Sequence, residues 1–327
     1  MGGSSRSVVV TGGTAGVGRA IALRFAQGGD RVCVVGRAQS GVDATVREIE
    51  ATGAEAFGVA ADVSEWQSLF NVADQVAERW GGIDVWVNNA MVTMFAPVAE
   101  MTGEEYERIT GVTYLGYVYG TMAALKHMRA RKRGVIVQIG SALSYRAIPL
   151  QSAYCGAKFA VRAFTDALRS ELIHDGSNIR LTMLQLPAIN TPQFNWARNR
   201  MGGAPRPVPP VFEPEHVADI AFKAARDAPR EVWIGWPTLK LIAGAIAVPG
   251  YLDRYLAKAG YEGQVTRETE TDPEGNLFEA KPSGHAARGR FTHEAKPAPP
   301  AFNPTIIRGG IMLGALVAAA FLLALGD

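Results

Sequence analysis

The chain has 327 residues, of which 48% are hydrophobic and 20% charged, with 33 Lys and Arg against 31 Asp and Glu. This composition excludes a disordered or collagen-like chain, and a net charge of +2 gives no basic field for a nucleic-acid backbone. Two cysteines are too few for a disulfide-stabilised domain, and the five histidines have no zinc-ligand spacing. We therefore expect a globular protein of a reducing compartment, with no metal and no nucleic-acid partner.

Short Val- and Ile-rich runs alternate with segments of helical period from residue 7 to about residue 235. The predicted strands span residues 7–12, 31–37, 54–63, 83–89, 134–141, 179–186 and 231–235. The predicted helices span residues 17–28, 41–52, 65–80, 103–131, 152–175 and 214–227. Such alternation is typical of β-α-β units. It predicts an α/β fold with a doubly wound, seven-stranded parallel sheet in one domain, residues 1–235.

The character of the chain changes after residue 235. Residues 236–263 read as an apolar helical extension, which would pack in the core or in a dimer, or else line a pocket or face a membrane. Residues 264–305 are polar and contain Pro and Gly, as in a linker or a surface wrap. We expect a linker, which would hold the C-terminus apart from the domain.

The run 309–325 carries no charged residue. As a helix it would be about 25 Å long, near the lower limit for a hydrocarbon core of about 30 Å. The N-terminus has no signal-peptide pattern. We therefore expect residues 306–327 to form a C-terminal membrane helix that anchors a cytoplasmic domain; the alternative is a packing helix of a cytoplasmic protein.

A glycine-rich turn follows the first predicted strand. Gly12, Gly16 and Gly18, with Thr14 and Val17 among them, lead into an amphipathic helix. Glycines let a backbone approach a ligand closely, and a helix N-terminus presents free N–H groups to a phosphate. The position after the first strand of a β-α-β unit predicts a site for the pyrophosphate of a dinucleotide.

Tyr154 and Lys158 lie four residues apart in a predicted helix and therefore share one face. A free phenol has a pKa of about 10, and a neighbouring ammonium lowers it by stabilising the phenolate. Tyr154 could then act as general acid or base toward a carbonyl or an alcohol. Ser141 stands thirteen residues earlier, at the end of a predicted strand.

These motifs together resemble those of the short-chain dehydrogenases/reductases, over residues 6–235. The matching positions are Gly12, Gly16 and Gly18, Asn89 and Ala90 after the fourth strand, Ser141, Tyr154 and Lys158, and Pro187 and Thr191 after the sixth strand. Met91 and Ala188 replace glycines of the family pattern. The resemblance implies an NADP-binding catalytic Rossmann domain that interconverts an alcohol and a ketone or aldehyde by hydride transfer.

The resemblance also implies roles for single residues. The family's tyrosine exchanges the proton, its lysine holds the nicotinamide ribose and its serine binds the substrate oxygen. Gly36 stands where NAD-preferring members place Asp, and Arg37 follows it. NADP(H) is therefore favoured over NAD(H), with Arg37 on the 2′-phosphate; the alternative is that Arg37 is a solvated loop charge.

Two further positions carry open alternatives. Asp62 and Val63 resemble the family's pair whose carboxylate binds the adenine amine, although Asp62 could instead cap the next helix. Thr113 replaces the family's Asn, whose backbone carbonyl holds a water in the proton relay to the lysine. The Thr carbonyl could serve as well, but its β-branched side chain is expected to remove the local helix distortion.

Two function classes follow. The first is the NADP(H)-dependent oxidoreductase, with a small-molecule alcohol or carbonyl substrate, hydrophobic if the apolar extension lines its pocket, in a chain that could form a homo-oligomer. The alternative is a catalytically weak, membrane-tethered dinucleotide-binding sensor or scaffold, for which Thr113, Met91 and Ala188 are the signals. The intact serine, tyrosine and lysine favour the enzyme.

Overall fold

The computed structural model describes residues 5–269, 272, 274–296, 298–307 and 309–310. Among these residues the main sheet has eight strands. They are β1 Ser7–Thr11, β2 Arg31–Gly36, β3 Ala56–Ala60, β4 Val85–Asn88, β5 Gly134–Ser141, β6 Ile179–Leu186, β7 Glu231–Ile234 and β8 Ala301–Phe302. The α-helices are α1 Gly16–Gln27, α2 Gln39–Glu50, α3 Trp66–Trp80, α4 Gly103–Thr110, α5 Gly116–Arg131, α6 Ser152–His174, α7 Gln193–Trp196, α8 Pro214–Asp227, α9 Gly235–Ala247 and α10 Pro249–Glu262.

The strand order in the main sheet is β8-β7-β6-β5-β4-β1-β2-β3. Strands β1 to β7 are parallel, and β8 pairs antiparallel with β7 at the edge. The chain direction across the sheet reverses between β1 and β4, so the loops after these two strands diverge and leave a crevice at their carboxyl ends. The prediction of a doubly wound parallel sheet is confirmed, but the sheet is mixed and has an eighth strand.

Each face of the sheet carries its own core. Phe25 of α1 and Val217 of α8 belong to the core on one face, and Val76 of α3 and Met128 of α5 to the core on the other. Strand β1 is buried along its whole length. Its near-continuous apolar sequence is typical of a strand that is covered by helices on both sides.

The helix predicted over residues 103–131 is divided in the structure. A capping box of Thr102 and Glu105 starts α4. A π-helical turn, Gly111–Leu115, then separates α4 from α5. Turns of this kind are uncommon and occur frequently at functional sites.

The residues after β7 return to the domain. Two short strand pairs link them to it: Gly203–Pro205 with Val265–Thr269, and Val211–Phe212 with Ala295–Lys296. Residues 276–291, which we call the strap, lie across the carboxyl edge of the sheet and contact the loops there. A surface wrap therefore describes this part of the chain better than a linker does.

The predicted membrane helix falls almost wholly outside the described residues. Of the run 309–325, only residues 309 and 310 are described. Within the part of the chain that the structure describes, no helix is both long and apolar enough to span a bilayer.

Candidate active site

A cavity of about 630 Å³ opens at the carboxyl ends of β1 and β4. The predicted site residues that line it are Gly12, Thr14, Gly16, Val17, Arg37, Asp62, Val63, Asn89, Ala90, Ser141, Tyr154, Lys158, Pro187 and Thr191. The two predicted site residues outside the lining are Gly18 and Thr113. The fold thus brings together residues that lie up to 179 positions apart in the sequence.

The glycine-rich turn packs directly against the loop after β4. Gly12 has a φ of +63°, and a Cβ there would come within 2.7 Å of Ala90 Cα. A Cβ at Gly18 would collide with the Gly12 carbonyl oxygen. Asn89 holds the turn in place, because its side-chain amide donates to the carbonyls of Thr11 and Gly12, each at 3.1 Å. Gly18 and Asn89 therefore shape the turn, and the lining residues Gly12 and Gly16 present it to the cavity.

We call the end of the cavity that contains the glycine-rich turn the nucleotide end. A second loop that shapes this end follows β3. Asp62 accepts hydrogen bonds from Ser64 and, at 2.5 Å, from the Arg108 guanidinium. Burial opposes the ionised carboxylate, yet the bonds from Arg108 and Ser64 hold the pKa of Asp62 below its usual value. Helix α3 begins only at Trp66, with Glu65 as its N-cap residue, so Asp62 is not the cap of that helix.

Arg37 lies at the end of β2 and is partly buried under the strap. Its guanidinium donates to the carbonyls of Asn276 at 2.5 Å and Phe278 at 3.1 Å. Arg108 donates to the intervening carbonyl of Leu277 at 3.0 Å. Burial and the nearby Arg108 charge both lower the pKa of Arg37. Arg37 is therefore not a solvated loop charge, since it faces the cavity and holds the strap.

The strap also reaches the start of α1. The Gly16 N–H donates to the Ala286 carbonyl at 2.8 Å, and Arg19 donates to the His285 carbonyl at 2.9 Å. The His285 ring packs on Trp196 with centroids 5.3 Å apart. These contacts close the outer side of the nucleotide end. No sequence motif marks the two hydrogen bonds, because each is accepted by a backbone carbonyl.

The lysine of the predicted pair is fully buried. Lys158 Nζ donates to Tyr117 Oη and to the Ile139 carbonyl, each at 2.8 Å. The Tyr154 ring centroid lies 5.7 Å from the same Nζ. The Ser141 side chain lies near the Tyr154 hydroxyl and acts to lower its pKa, and Ser141 Oγ accepts from the Leu143 N–H at 3.1 Å.

Burial dominates the titration of this pair. It raises the pKa of Tyr154 above its ordinary value, and it lowers the pKa of Lys158 to about 7. The expectation that Lys158 lowers the pKa of Tyr154 toward neutrality is therefore wrong for the protein without nucleotide. The reason is that desolvation opposes a charge on either group, while the ammonium is directed to Tyr117 and Ile139.

Thr113 sits in the π-helical turn with its side chain fully buried. Its hydroxyl donates to the Val92 carbonyl at 2.9 Å and accepts from the Val92 N–H at 3.1 Å. The expectation that a β-branched residue removes the distortion is wrong, because the turn is present. The hydroxyl acts as a bridge that ties the turn to the loop after β4.

Replacing Thr113 by Val is expected to lower the free energy of unfolding by about 1–3 kcal/mol, because both backbone groups of Val92 would be left buried without a partner. Urea unfolding measures the change. Thr182→Val is the matched control, since Thr182 is equally buried and its hydroxyl has no hydrogen-bond partner among the described residues. Equal changes in the two variants would contradict the bridging role.

Sequence reasoning missed Tyr117, which is buried between Lys158 and β5. Its hydroxyl donates to the Ile139 carbonyl at 2.9 Å and accepts from Lys158. No motif marks it. The one available signal is its position one turn after Thr113, on the helix that faces Lys158.

Loops on the far side of the cavity carry the remaining predicted residues. Thr191 lies against the glycine-rich turn, because a Cβ at Gly16 would be 3.1 Å from its methyl group. Pro187 lines the cavity at the end of β6. The neighbouring Asn190 is fully buried and accepts from the Phe291 N–H at 3.0 Å, which fixes the end of the strap.

The apolar extension forms helices α9 and α10, which cover the other end of the cavity. Both helices contribute apolar residues to its lining, among them Pro237, Leu241, Leu252 and Leu256. Their outer side leaves Trp236, Ile246 and Tyr251 more than half exposed. The inner face of this pair of helices therefore lines a pocket, which is one of the alternatives that the sequence leaves open.

The chain is similar in sequence to several known proteins. The sequence profile of the short chain dehydrogenase family matches residues 6–201. The uncharacterized oxidoreductase YxnA of Bacillus subtilis is 29% identical over 276 residues, which cover 84% of this chain and 78% of that protein. The 3beta-hydroxysteroid dehydrogenase 1 of Eggerthella lenta is 32% identical over 253 residues, covering 75% of this chain and 95% of that protein.

A solved structure shares the fold. It is an alcohol dehydrogenase from the archaeon Thermococcus sibiricus, complexed with 5-hydroxy-NADP, which matches with a TM-score of 0.58 and 24% identity over 70% of this chain and 96% of that one. The fold and the comparisons define an NAD(P)-dependent oxidoreductase that acts on CH–OH groups. The chain belongs to the short-chain dehydrogenase/reductase family. The sensor or scaffold alternative has no support among these relatives.

Proposed function

We propose that the protein uses NADP(H) to interconvert an apolar alcohol and the corresponding ketone or aldehyde, with Tyr154 as the proton donor or acceptor. The observation that carries this proposal is a single continuous cavity. It has the glycine-rich turn and Arg37 at one end, Tyr154 and Lys158 in the middle, and an apolar wall at the other end.

The nucleotide end suits a dinucleotide. Helix α1 starts at Gly16, and the preceding Ala15 has no polar side chain to cap it. The Gly16 N–H donates to the Ala286 carbonyl of the strap, so phosphate oxygens would accept from the N–H groups that follow it at the start of α1 and interact with the positive end of the helix dipole. Asp62 would hold the adenine amine, and Lys158 the nicotinamide ribose.

The adenosine end favours a 2′-phosphate. The guanidinium groups of Arg37 and Arg108 meet there, with the carboxylates of Asp62 and Glu279 nearby. Planar guanidinium groups suit a phosphate. Position 36 offers no carboxylate to a ribose hydroxyl, and a side chain there would collide with the Thr14 methyl group. These contacts support NADP(H) over NAD(H).

The chemistry follows from three side chains. The nicotinamide, when bound, supplies or accepts the hydride. Ser141 and Tyr154, whose side chains lie near each other, would both hold the substrate oxygen. In carbonyl reduction Tyr154 gives its proton to that oxygen. The buried Lys158 ammonium then favours the phenolate that is left.

The far end of the cavity suits an apolar substrate. Its apolar residues come from the body of the domain and from the two C-terminal helices: Phe95, Leu143, Ile148, Phe194, Leu241, Leu252 and Leu256. Burial of apolar substrate surface against them would supply about 25 cal/mol per Å². The proposed substrate class is therefore a ketone or alcohol with a substantial hydrocarbon body.

The test is a panel of steroids, retinoids, aliphatic ketones and sugars, followed by NADPH absorbance. We expect turnover of the apolar compounds, and Leu252→Gln should raise KM for the best of them. Ala257→Gln, an exposed change on the same helix, is the matched control. Turnover of sugars alone would overturn the substrate class.

Arg37→Ala tests the choice of cofactor. A charged contact with a phosphate contributes about 1.5–3 kcal/mol, so the variant should raise KM for NADPH about 10- to 100-fold more than it raises KM for NADH. Steady-state kinetics with each cofactor measure this.

Arg47→Ala, which removes an exposed charge from α2, serves as the control for Arg37→Ala. Arg37 also holds the strap, and loss of that contact alone would alter the binding of both cofactors alike. Equal changes in KM for NADPH and NADH would therefore assign Arg37 to the strap and contradict the 2′-phosphate contact.

A further inference from the structure

Tyr117 closes a triangle of hydrogen bonds behind Lys158. Lys158 Nζ lies 2.8 Å from Tyr117 Oη and 2.8 Å from the Ile139 carbonyl oxygen, and Tyr117 Oη lies 2.9 Å from the same carbonyl. The ammonium also lies 4.5 Å from the Tyr117 ring centroid, within cation–π range. Both side chains are at most 1% exposed.

We propose that Tyr117 is a positioning residue for the reaction, because its hydroxyl and ring fix the Lys158 ammonium and stabilise its charged form. The proposal rests on the role of Lys158 in the proposed function. A lysine has three N–H donors. Tyr117 and Ile139 accept two of them, which leaves the third for the cavity side, where Tyr154 lies.

The groups around Lys158 indicate that Tyr117 is the one that stabilises its charge. The titratable rings near the ammonium among the described residues are Tyr117 from α5, at 4.5 Å, and Tyr154 from its own helix, at 5.7 Å. Strand β5 faces it with the Ile139 carbonyl. Burial raises the pKa of Tyr117 well above its ordinary value, so Tyr117 stays a neutral hydroxyl that can accept from an ammonium.

The π-helical turn explains how Tyr117 reaches this place. A π turn inserts one residue into the helical repeat, and each residue of an α-helix rotates the following side chains by about 100°. The turn is anchored by the bonds between Thr113 and Val92. Tyr117 follows it in the first turn of α5, so its direction depends on that anchor.

The test measures Lys158 directly, in the protein without nucleotide. Lysine labelled with ¹³C at Cε is titrated by NMR, and Lys158→Met assigns the signal. We expect a midpoint of about 7 in the parent. Tyr117→Phe should lower it by about one pH unit, since the ammonium loses a charge-assisted hydrogen bond. Tyr117→Leu should lower it further, because the cation–π contact is lost as well.

Tyr119→Phe is the matched control, since Tyr119 lies on the same helix but packs with a different hydrophobic cluster from that of Tyr117. In kinetics, the pH above which carbonyl reduction declines should fall in Tyr117→Phe by the same amount as the NMR midpoint. An unchanged midpoint, or an equal shift in Tyr119→Phe, would overturn the role of Tyr117. Failure to find any substrate would count against the proposed function and would leave the NMR result intact.

Discussion

Tyr154→Phe is expected to lower kcat for carbonyl reduction by about 100- to 10,000-fold, while the fold and nucleotide binding persist. The phenyl ring fills the same space but has no proton to exchange, and general acid–base catalysis contributes about this factor. The measurement is kcat at saturating NADPH, beside the Kd for NADPH from its fluorescence.

Tyr255→Phe provides the matched control, because Tyr255 lines the same cavity from α10 and its hydroxyl has no proposed role in the reaction. A decrease of less than tenfold in Tyr154→Phe would remove Tyr154 from proton transfer. A weaker Kd for NADPH with unchanged kcat would instead place Tyr154 in binding.

The main elements could be predicted because the sheet imposes a simple pattern. Strand β5, Gly134–Ser141, and strand β6, Ile179–Leu186, have the ends that the sequence predicts, since a strand buried on both faces reads as an apolar run. Helix α8 likewise has its predicted ends. Strand β8 could not be predicted, since two residues, Ala301 and Phe302, are too short to carry a period.

The strap could not be predicted for a different reason. Its contacts with Arg37, Arg108 and Gly16 are all accepted by backbone carbonyls. A carbonyl is present at every residue and leaves no signature in the sequence. Pro and Gly along residues 276–291 therefore suggest a linker, although the same residues close the nucleotide end of the cavity.

The centre of the site could be predicted only in part. The spacing of Tyr154 and Lys158 gives their shared face, but burial decides their pKa values, and spacing does not report burial. The partner of Lys158 comes from another helix 41 positions away. The β-branched side chain of Thr113 predicts an undistorted helix. Its hydroxyl instead determines its structural role, through the hydrogen bonds with Val92.

Lys158→Met is expected to stabilise the protein without nucleotide at pH 6 while it abolishes most turnover. Lys158 is fully buried, and burial lowers its pKa to about 7 from an ordinary value of 10.5. Keeping its charge in the folded protein therefore costs free energy, and Met fills a similar space without charge. The difference in the free energy of unfolding is about 5 kcal/mol at most.

The difference in the free energy of unfolding between the parent and Lys158→Met should depend on pH. Between pH 7 and 10.5 the unfolded chain binds more protons at Lys158 than the folded protein does, so the parent's free energy of unfolding rises with pH across that window. Below pH 7 the lysine is charged in both states, and the full cost is present. The advantage of Met should therefore be largest at pH 6 and nearly absent at pH 10.5.

Urea unfolding at the two pH values measures the difference, with Lys223→Met on the exposed side of α8 as the control. That control should change stability little at either pH, because an exposed lysine keeps its ordinary solvation in both states. If Lys158→Met is less stable than the parent at pH 6, then Tyr117 and Ile139 compensate fully for the buried charge. The enzyme would in that case hold its ammonium without cost, and the stability sacrificed for catalysis would have to lie elsewhere in the site.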